Sequence, residues 1–273
     1  MKVTALYRYP VKSLRGTVLT HAYVERQGLQ GDRRWLVVDA TGRFQTIREH
    51  PIMTQIEATL RDDGGLELSH PRHGSVAVAV PTASASRTVV VWDDDVAAVA
   101  ADEAAGKWLS SVLELPVDLV YLANPNARPI DPDFGQPGDT TSFADGFPVL
   151  LTSTMSLNDL NSRLTGKVDM RRFRPNLVIS GARPWAEDTW QVIRVGNVTF
   201  RVAKPCARCV VTTRDPDTGV QADPREPLRT LASFHRAASG GIIFGQNLIP
   251  DGPGEIGVGD TVEVLKAGKS NLD

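Results

Sequence analysis

The chain contains 273 residues, a length that predicts either one large domain or two domains of ordinary size. Hydrophobic residues make up 41% and charged residues 23%, which is typical of globular proteins and excludes a fibrous or largely disordered chain. The formal net charge is only -2, and lysines and arginines are scattered among acidic residues. We therefore expect no nucleic-acid partner.

The start of the chain contains neither a long apolar core nor a small-residue cleavage site, so it predicts no signal peptide. No other stretch reaches the roughly 18 uninterrupted apolar residues of a membrane-spanning helix. Both cysteines, Cys206 and Cys209, lie in one short segment, which cannot form the disulfide framework of a secreted domain. We expect a cytoplasmic protein without a membrane span.

The first third of the chain predicts short strands separated by turns. Residues 35–39, 66–69, 76–80 and 88–92 are rich in β-branched or alternating apolar residues and are bounded by Gly and Asp. Residues 101–115 change to Ala, Glu, Lys and Leu, with Trp108, Leu109, Val112 and Leu113 on one helical face. This pattern predicts one amphipathic helix after a β-rich unit.

Residues 121–146 are rich in Pro, Asp, Asn and Gly, which predicts a linker or a long functional loop. A helix is predicted to begin near Ser156, with Asp159 in its first turn. Two apolar segments, 190–195 and 198–202, flank Gly196 and Asn197 and predict a tight hairpin that leads into the cysteines. Residues 256–265 predict a closing pair of strands.

The segment from Lys204 to Thr213 carries the strongest local signal, because it contains both cysteines in a Cys-x-x-Cys spacing. A structural zinc site needs about four ligands. The chain has only these two cysteines and five histidines, which argues against zinc. A thioredoxin-like motif requires a helix after the cysteines, whereas the β-branched residues 210–213 predict a strand.

The zinc and redox interpretations are therefore weak, and two other interpretations carry more weight from these residues alone. Free cysteine is among the most buried residue types, so both cysteines could be inert core residues. Lys204 and Arg208 instead place positive charge beside the thiols, which favours thiolate, the ligand that a soft transition metal selects. A single thiolate suffices if a cofactor supplies the other ligands, as a pterin dithiolene does with two sulfurs.

Five motifs occur in consistent order between Leu6 and Leu265. They are Tyr-Pro-Val-Lys-Ser at 9–13, Gly-Asp-Arg-Arg-Trp at 31–35, Phe-Arg-Pro-Asn at 173–176, Cys-Ala-Arg-Cys at 206–209 followed by Thr-Thr-Arg-Asp-Pro-Asp-Thr-Gly at 212–219, and Phe-Gly-Gln-Asn at 244–247. With these motifs the chain resembles the MOSC family, and within it the mitochondrial amidoxime-reducing component and its bacterial relatives.

The resemblance implies a molybdenum cofactor (Mo-molybdopterin), with Cys209 as the thiolate ligand of the metal and Cys206 as a neighbour. It also implies that eight residues hold the cofactor's phosphate and pterin: Lys12, Ser13, Arg33, Asp145, Arg174, Asn176, Ala207 and Arg208. Cationic side chains suit a phosphate because they form charge-assisted hydrogen bonds. The family often has Ser at the position of Ala207, so we expect Ala207 to contribute through its backbone.

The implied fold is mainly β with a few helices (α+β). A β-rich N-terminal domain would span residues 1–118, and a β-barrel MOSC domain would span residues 123–268, with the cofactor between them. Ligand sites at domain interfaces are common.

The implied activity is reduction of N-hydroxylated small molecules to amines or amidines, by two-electron oxygen-atom chemistry at molybdenum cycling between its +6 and +4 states. Cys209 would then be the catalytic residue. An iron–sulfur cluster needs about four cysteines, and no Gly-x-Gly-x-x-Gly motif marks a nicotinamide site. We therefore expect an external electron donor: a ferredoxin, a cytochrome or a flavoprotein reductase. The alternatives are a cofactor carrier or sulfur-handling protein without turnover, and a thiol-only binding protein without metal.

Overall fold

The computed structural model describes residues 1–82 and 86–273, which form a mainly β structure, as the sequence predicts. Its earlier strands are β1 (Lys2–Arg8), β2 (Thr17–Leu19), β3 (His21–Glu25), β4 (Gly28–Leu29), β5 (Trp35–Val38), β6 (Glu57–Leu60), β7 (Leu66–His70), β8 (Gly74–Val78), β9 (Arg87–Val91), β10 (Asp94–Ala100) and β11 (Asp118–Tyr121). The later strands are β12 (Val149–Ser153), β13 (Leu177–Ser180), β14 (Trp190–Val195), β15 (Val198–Ala207), β16 (Ile243–Pro250), β17 (Gly254–Gly257) and β18 (Val262–Ala267). The α-helices are α1 (Glu103–Leu113), α2 (Thr154–Ser162) and α3 (Leu228–Phe234).

The largest sheet has eight strands in the order β18-β14-β15-β16-β12-β13-β1-β2. Its neighbours pair antiparallel except for β12 and β13, which are parallel. The smaller sheets have the orders β5-β11-β10-β9, β17-β3-β4 and β6-β7-β8. Strand β1 lies beside β13, so the start of the chain completes a sheet that is otherwise built from the second half.

The predicted amphipathic helix is confirmed as α1. Asp102 caps its N-terminus, because the Asp102 carboxylate accepts a hydrogen bond of 2.9 Å from the Ala105 backbone N–H. Leu109 and Val112 are buried in a core shared with β5, β7 and β11. The helix ends at Leu113, and the following residue, Glu114, caps it in a left-handed conformation. Through its buried residues α1 covers one face of the N-terminal strands.

The predicted hairpin is also confirmed, since β14 and β15 pair antiparallel around Gly196, whose φ is 53°. Strand β15 continues past the predicted end at residue 202 and contains Cys206. The predicted helix near Ser156 is α2, which begins at Thr154 with Ser153 as its N-cap. The hairpin therefore delivers one cysteine inside a strand and the other just beyond it.

Two local predictions are wrong. Residues Val210–Thr213 form a turn of 3₁₀-helix and not a strand. The hydroxyls of Thr212 and Thr213 donate to the carbonyl oxygens of Cys209 and Val210, and both threonines are fully buried, so these contacts override β-propensity. The predicted closing strands exist as β17 and β18, but β17 pairs with β3 and β18 with β14, not with each other.

The Pro- and Gly-rich segment 122–148 connects β11 to β12 and contains no helix or strand. Arg128, which is 3% exposed, fixes this loop from within. Its guanidinium donates to the carbonyl oxygens of Ser142 and Ala144, at 2.6 Å each, and forms an ion pair with Asp94. The loop is therefore held in one conformation just before Asp145. Among the described residues, no helix is long and apolar enough to span a membrane.

Candidate functional site

A cleft between the N-terminal segments and the large sheet brings together nearly all of the predicted site residues. Those that line it are Lys12, Ser13, Arg33, Asp145, Arg174, Asn176, Arg208 and Cys209, joined by Cys206 and Asn247. Ala207 is the one predicted site residue outside the lining, since it lies exposed at the end of β15. A cofactor contact from the Ala207 backbone stays a prediction.

The backbone around the cleft is unusual, because four lining residues other than glycine have positive φ. The values are 69° for Ser13, 49° for Arg33, 58° for Trp92 and 52° for Arg174. A left-handed conformation costs a residue with a β-carbon about 1–3 kcal/mol, and such residues concentrate at functional sites. The strain indicates that the fold holds these side chains in place at a cost in stability.

Lys12 and Asp145 form an ion pair in the cleft wall, with 2.5 Å between Lys12 Nζ and Asp145 Oδ1. The Lys12 side chain is 8% exposed and that of Asp145 is 75% exposed, so the carboxylate faces the open cleft. Burial lowers the pKa of Lys12, and the Asp145 charge opposes this shift. Desolvation by the surrounding protein raises the pKa of Asp145, but the positive charges of Lys12 and Arg33 outweigh this effect. Together they hold the pKa of Asp145 well below its usual range.

Arg33 is fixed from several sides. Its guanidinium forms a 2.5 Å ion pair with the buried Asp32, donates 3.0 Å to the Asn176 side-chain oxygen and donates 3.3 Å to the Arg174 carbonyl. Burial works against its charge, but Asp32 more than compensates and raises the pKa of Arg33. Arg33 is therefore a permanently cationic and rigid part of the wall.

Arg174 lacks such partners. Its guanidinium donates no hydrogen bond to any of the described residues, and its Nη2 is fully buried. Its main neighbour is the Tyr9 ring, 4.2 Å from Arg174 Cζ and 4.6 Å from Arg33 Cζ. Burial lowers the pKa of Arg174 to about 10. A half-buried cation that has no acceptor among the described residues predicts an anionic ligand at this position.

The two sulfurs are free thiols with different partners. Arg208 Nη1 lies 2.7 Å from Cys206 Sγ, whereas Arg48 Nη2 lies 3.3 Å from Cys209 Sγ. Lys204 was predicted to lie beside the thiols, but its ammonium contacts the Phe134 ring, 4.1 Å from the centroid. The positive charge beside Cys209 therefore comes from Arg48 in the N-terminal half, a residue that the sequence patterns did not indicate.

Asn176 is 1% exposed and most of its hydrogen-bonding capacity is already used. Its side-chain oxygen accepts from Arg33 and from the Leu150 N–H, and its amide nitrogen donates to the Tyr7 carbonyl. These bonds position Arg33 in the wall. A direct contact from Asn176 to a pterin stays a prediction.

Trp92 was also missed. The Arg48 guanidinium lies over the Trp92 ring, with 4.5 Å between Arg48 Cζ and the ring centroid. Trp92 Nε1 donates a hydrogen bond of 3.2 Å to Asp145 Oδ1. Trp92 thus links the guanidinium beside Cys209 to the ion pair of Lys12. The sequence shows only a tryptophan that directly follows the β-branched run 88–91, and its exposure is known from the structure alone.

The described residues contain no group of three or more His, Cys, Asp and Glu side chains that could hold a metal ion. The protein sulfurs that line the cleft are those of Cys206 and Cys209. A thiolate suits a soft transition metal, and the cationic wall suits a phosphorylated group.

The MOSC N-terminal beta barrel domain profile matches residues 1–116, and the MOSC domain profile matches residues 138–263. Mitochondrial amidoxime-reducing component 1 of Homo sapiens is 35% identical over 280 residues, which cover 96% of this chain and 82% of that protein. Its Mus musculus counterpart is 34% identical over 279 residues, with the same coverage. Mitochondrial amidoxime reducing component 2 of Homo sapiens is 30% identical over 243 residues, or 85% of this chain and 72% of that protein.

Proposed function

The chain belongs to the MOSC-domain family that includes the amidoxime-reducing components, and from this premise we propose that it is a molybdenum-cofactor oxidoreductase. Its substrates would be N-hydroxylated small molecules, which it reduces to amines or amidines. The observation that carries the proposal is the half-buried guanidinium of Arg174, which has no hydrogen-bond partner among the described residues and lies in the same cleft as Cys209.

The residues of the cleft fit the proposed cofactor. Lys12, Arg33 and Arg174 supply cationic donors, and Ser13 adds a hydroxyl, which together suit the phosphate of the cofactor. Arg174 would gain the acceptor that it lacks. Cys209 would bind the metal through its one sulfur. When bound, the cofactor would supply two-electron oxygen-atom chemistry at molybdenum.

The chain's own residues would then orient the substrate and provide hydrogen bonds. Reduction of an N–OH group takes two electrons and two protons, breaks the N–O bond and releases water. Arg48, fixed against Trp92, would present a charged donor beside Cys209 to the substrate oxygen. Asp145 would remain ionised through its contacts with Lys12 and Trp92.

The electrons would come from a separate protein. An iron–sulfur cluster needs about four cysteine ligands, whereas the chain has two cysteines and both line the cleft. We propose a ferredoxin, a cytochrome or a flavoprotein reductase as the donor, and a cytoplasmic location. Holoprotein should reduce benzamidoxime with dithionite-reduced viologen and should not do so with NADH alone. Turnover with NADH and no partner would contradict the external donor.

The ligand assignment is tested by comparing the two cysteines in protein made by a host that synthesises the molybdenum cofactor. Cys209→Ala should lose viologen-driven turnover, because it removes the metal ligand. Cys206→Ser should retain most of the turnover, because its sulfur contacts Arg208 and not the Arg48 side of the cleft. Molybdenum and pterin contents measured on the same samples separate loss of cofactor from loss of chemistry.

Equal loss in both variants would point to a shared two-thiolate site. Absence of turnover with every donor at full molybdenum occupancy would favour the alternative function, a cofactor carrier or sulfur-handling protein. Absence of molybdenum and pterin from wild-type protein made in that host would overturn the proposal.

A further inference from the structure

Arg48 is the one side chain among the described residues that donates a hydrogen bond to Cys209 Sγ, with 3.3 Å between Arg48 Nη2 and the sulfur. Arg208 is adjacent to Cys209 in the sequence, but its guanidinium lies against Cys206 Sγ. The other contact of the Arg48 guanidinium is the Trp92 ring, and no carboxylate in the described part of the chain forms an ion pair with it. Its positive charge therefore acts on the Cys209 sulfur without being neutralised by an acidic partner.

The backbone of Arg48 is fixed on both sides. Its N–H donates a hydrogen bond of 3.2 Å to the hydroxyl of the buried Thr46, and its carbonyl oxygen accepts one of 3.1 Å from Arg214 Nη2. Cys209 caps the start of the 3₁₀ turn Val210–Thr213, and Arg214 caps its end. The turn that begins at the sulfur-bearing residue therefore also holds the backbone of the residue that donates to this sulfur.

The Arg48 side chain is fixed by Trp92, whose ring centroid lies 4.5 Å from Arg48 Cζ in a cation–π contact. Trp92 donates to Asp145 and makes an edge contact with the Phe44 ring, with 5.0 Å between the centroids. Its φ of 58° is a conformation that a bulky residue rarely adopts and that persists only where the surrounding structure requires it. The fold therefore holds the Trp92 ring, and with it the Arg48 guanidinium, beside the sulfur.

A hydrogen bond to a metal-bound sulfur changes the electronic properties of the metal. The donor withdraws electron density from the thiolate, and a nearby positive charge stabilises the reduced metal centre, which carries more negative charge. Hydrogen bonds to ligand sulfurs are among the factors that set the reduction potentials of metal–thiolate centres. We propose that Arg48 raises the reduction potential of a metal bound at Cys209, by its hydrogen bond to the sulfur, and that Trp92 holds Arg48 in position for this role.

This inference rests on the proposed function, because it requires a metal at Cys209. It assigns Arg48 a role that is separate from the donor proposed for the substrate oxygen. A guanidinium carries five N–H groups, and only Nη2 donates to the sulfur, so one side chain can serve both roles. A reduction potential that is measured without substrate reports the contact with the sulfur alone.

The test is a redox titration of molybdenum-loaded protein without substrate, in which one-electron reduction of the metal is followed by electron paramagnetic resonance. Arg48→Met removes the donor and the charge and keeps an unbranched side chain against Trp92. Its equilibrium constant for reduction should fall about tenfold, which is a shift of about 59 mV toward lower potential for a one-electron couple. Trp92→Leu keeps the Arg48 charge and removes the ring, so it should shift the potential in the same direction by a smaller amount. It also provides the decisive measurement if Arg48→Met takes up no metal.

Arg43→Met is the matched control, because it removes the same charge from an exposed position five residues before Arg48. Its potential should equal that of wild type, since solvent and salt screen an exposed charge. Molybdenum content measured on every sample distinguishes the two levels of the argument. Wild-type protein that takes up no molybdenum would overturn the proposed function and this inference with it. Loaded Arg48→Met or Trp92→Leu protein with the wild-type potential, or an equal shift in Arg43→Met, would overturn this inference alone.

Discussion

Arg174 is the residue at which the energetic cost of the site is most visible. It sits in a left-handed conformation, buries part of its guanidinium and has an aromatic ring as its main neighbour. Arg33, 4.6 Å from the same ring, has Asp32 as a partner. Asp32 already supplies an acceptor for Arg33, so we expect a ligand to supply the acceptor that Arg174 lacks.

The first prediction concerns this imbalance. Arg174→Met keeps the length of the side chain and removes the unpartnered charge, so the cofactor-free protein should become more stable by about 1–3 kcal/mol. The same change should lower cofactor occupancy in protein made by a cofactor-competent host. Urea unfolding and molybdenum content measure the two effects. Reduced stability together with unchanged occupancy would remove Arg174 from the site.

Which residues lie together in the cleft could be predicted from the sequence better than their contacts could. The ordered motifs predicted that Lys12, Arg33 and Arg174 share one site, and all three line the cleft. Each of them alone would have been interpreted as a surface cation. The partner of Cys209 could not be predicted. Arg208 is adjacent in sequence but lies against Cys206, and Arg48 arrives from a distant loop because tertiary packing places it there.

At the level of elements, the loop between β11 and β12 shows how a segment without regular structure can hold a functional side chain. Arg128 lies inside it and bonds two carbonyl oxygens just ahead of Asp145. Asp94, at the start of β10, anchors the other side of the same guanidinium. The loop is thereby attached to the N-terminal strands at the edge of the cleft.

The second prediction follows from this arrangement. Arg128→Ala leaves two buried carbonyl oxygens without donors, so it should cost about 2–4 kcal/mol of unfolding free energy. Hydrogen exchange should increase within the loop, and cofactor occupancy should fall as Asp145 loses its position. Arg87→Ala is the control, because its ion pair with Asp118 is partly exposed and should contribute less than about 1 kcal/mol. Equal cost in both variants would contradict the role of Arg128.

Elements with strong local patterns were predictable, and those decided by distant contacts were not. Helix α1 and the β14–β15 hairpin follow from spacing and turn residues. The turn Val210–Thr213 does not, because its β-branched residues are held by buried threonine hydroxyls. Strands β17 and β18 were recognised as strands, but their partners β3 and β14 lie far away in the sequence.

At the scale of the whole molecule, the two family profiles match separate parts of the sequence, whereas the large sheet contains strands from both parts. Strand β1 belongs to the N-terminal profile and pairs with β13 of the later sheet. The segment after β1 then carries Lys12 and Ser13 into the cleft. Because the first strand is fixed in the large sheet, the two halves of the cleft are tied together close to the residues that form it.

A second feature of the whole molecule is a buried polar cluster that joins α2, α3, β16 and the C-terminal tail. His235 contacts the Asp188 carboxylate at 2.8 Å and the Ile243 carbonyl at 2.9 Å, so both ring nitrogens face acceptors. Gln246 donates to the same carboxylate. Glu187, 1% exposed, accepts 2.6 Å from the Ser156 hydroxyl, and its second oxygen has no partner within the described residues.

The last prediction is a loss of stability as the pH rises through neutrality. Burial raises the pKa of Glu187 from 4.5 to about 7, so folding favours its protonated form. Although burial opposes it, the bonds to Asp188 and Ile243 raise the pKa of His235. A raised folded-state pKa contributes stability that is complete below the unfolded-state pKa and is lost as pH rises through the folded-state value.

Both groups therefore act in the same direction, and Glu187 contributes up to about 3 kcal/mol, lost between about pH 4.5 and pH 7. Glu187→Gln imitates the neutral carboxyl and should make the unfolding free energy less dependent on pH, with the largest gain over wild type at about pH 8. Urea unfolding at several pH values measures this. Glu103→Gln, on the exposed face of α1, is the control and should parallel wild type above about pH 5, because the Glu103 carboxyl is already ionised there. Parallel curves for Glu187→Gln and wild type would mean that Glu187 is ionised in the folded protein and that the cluster has another source of compensation.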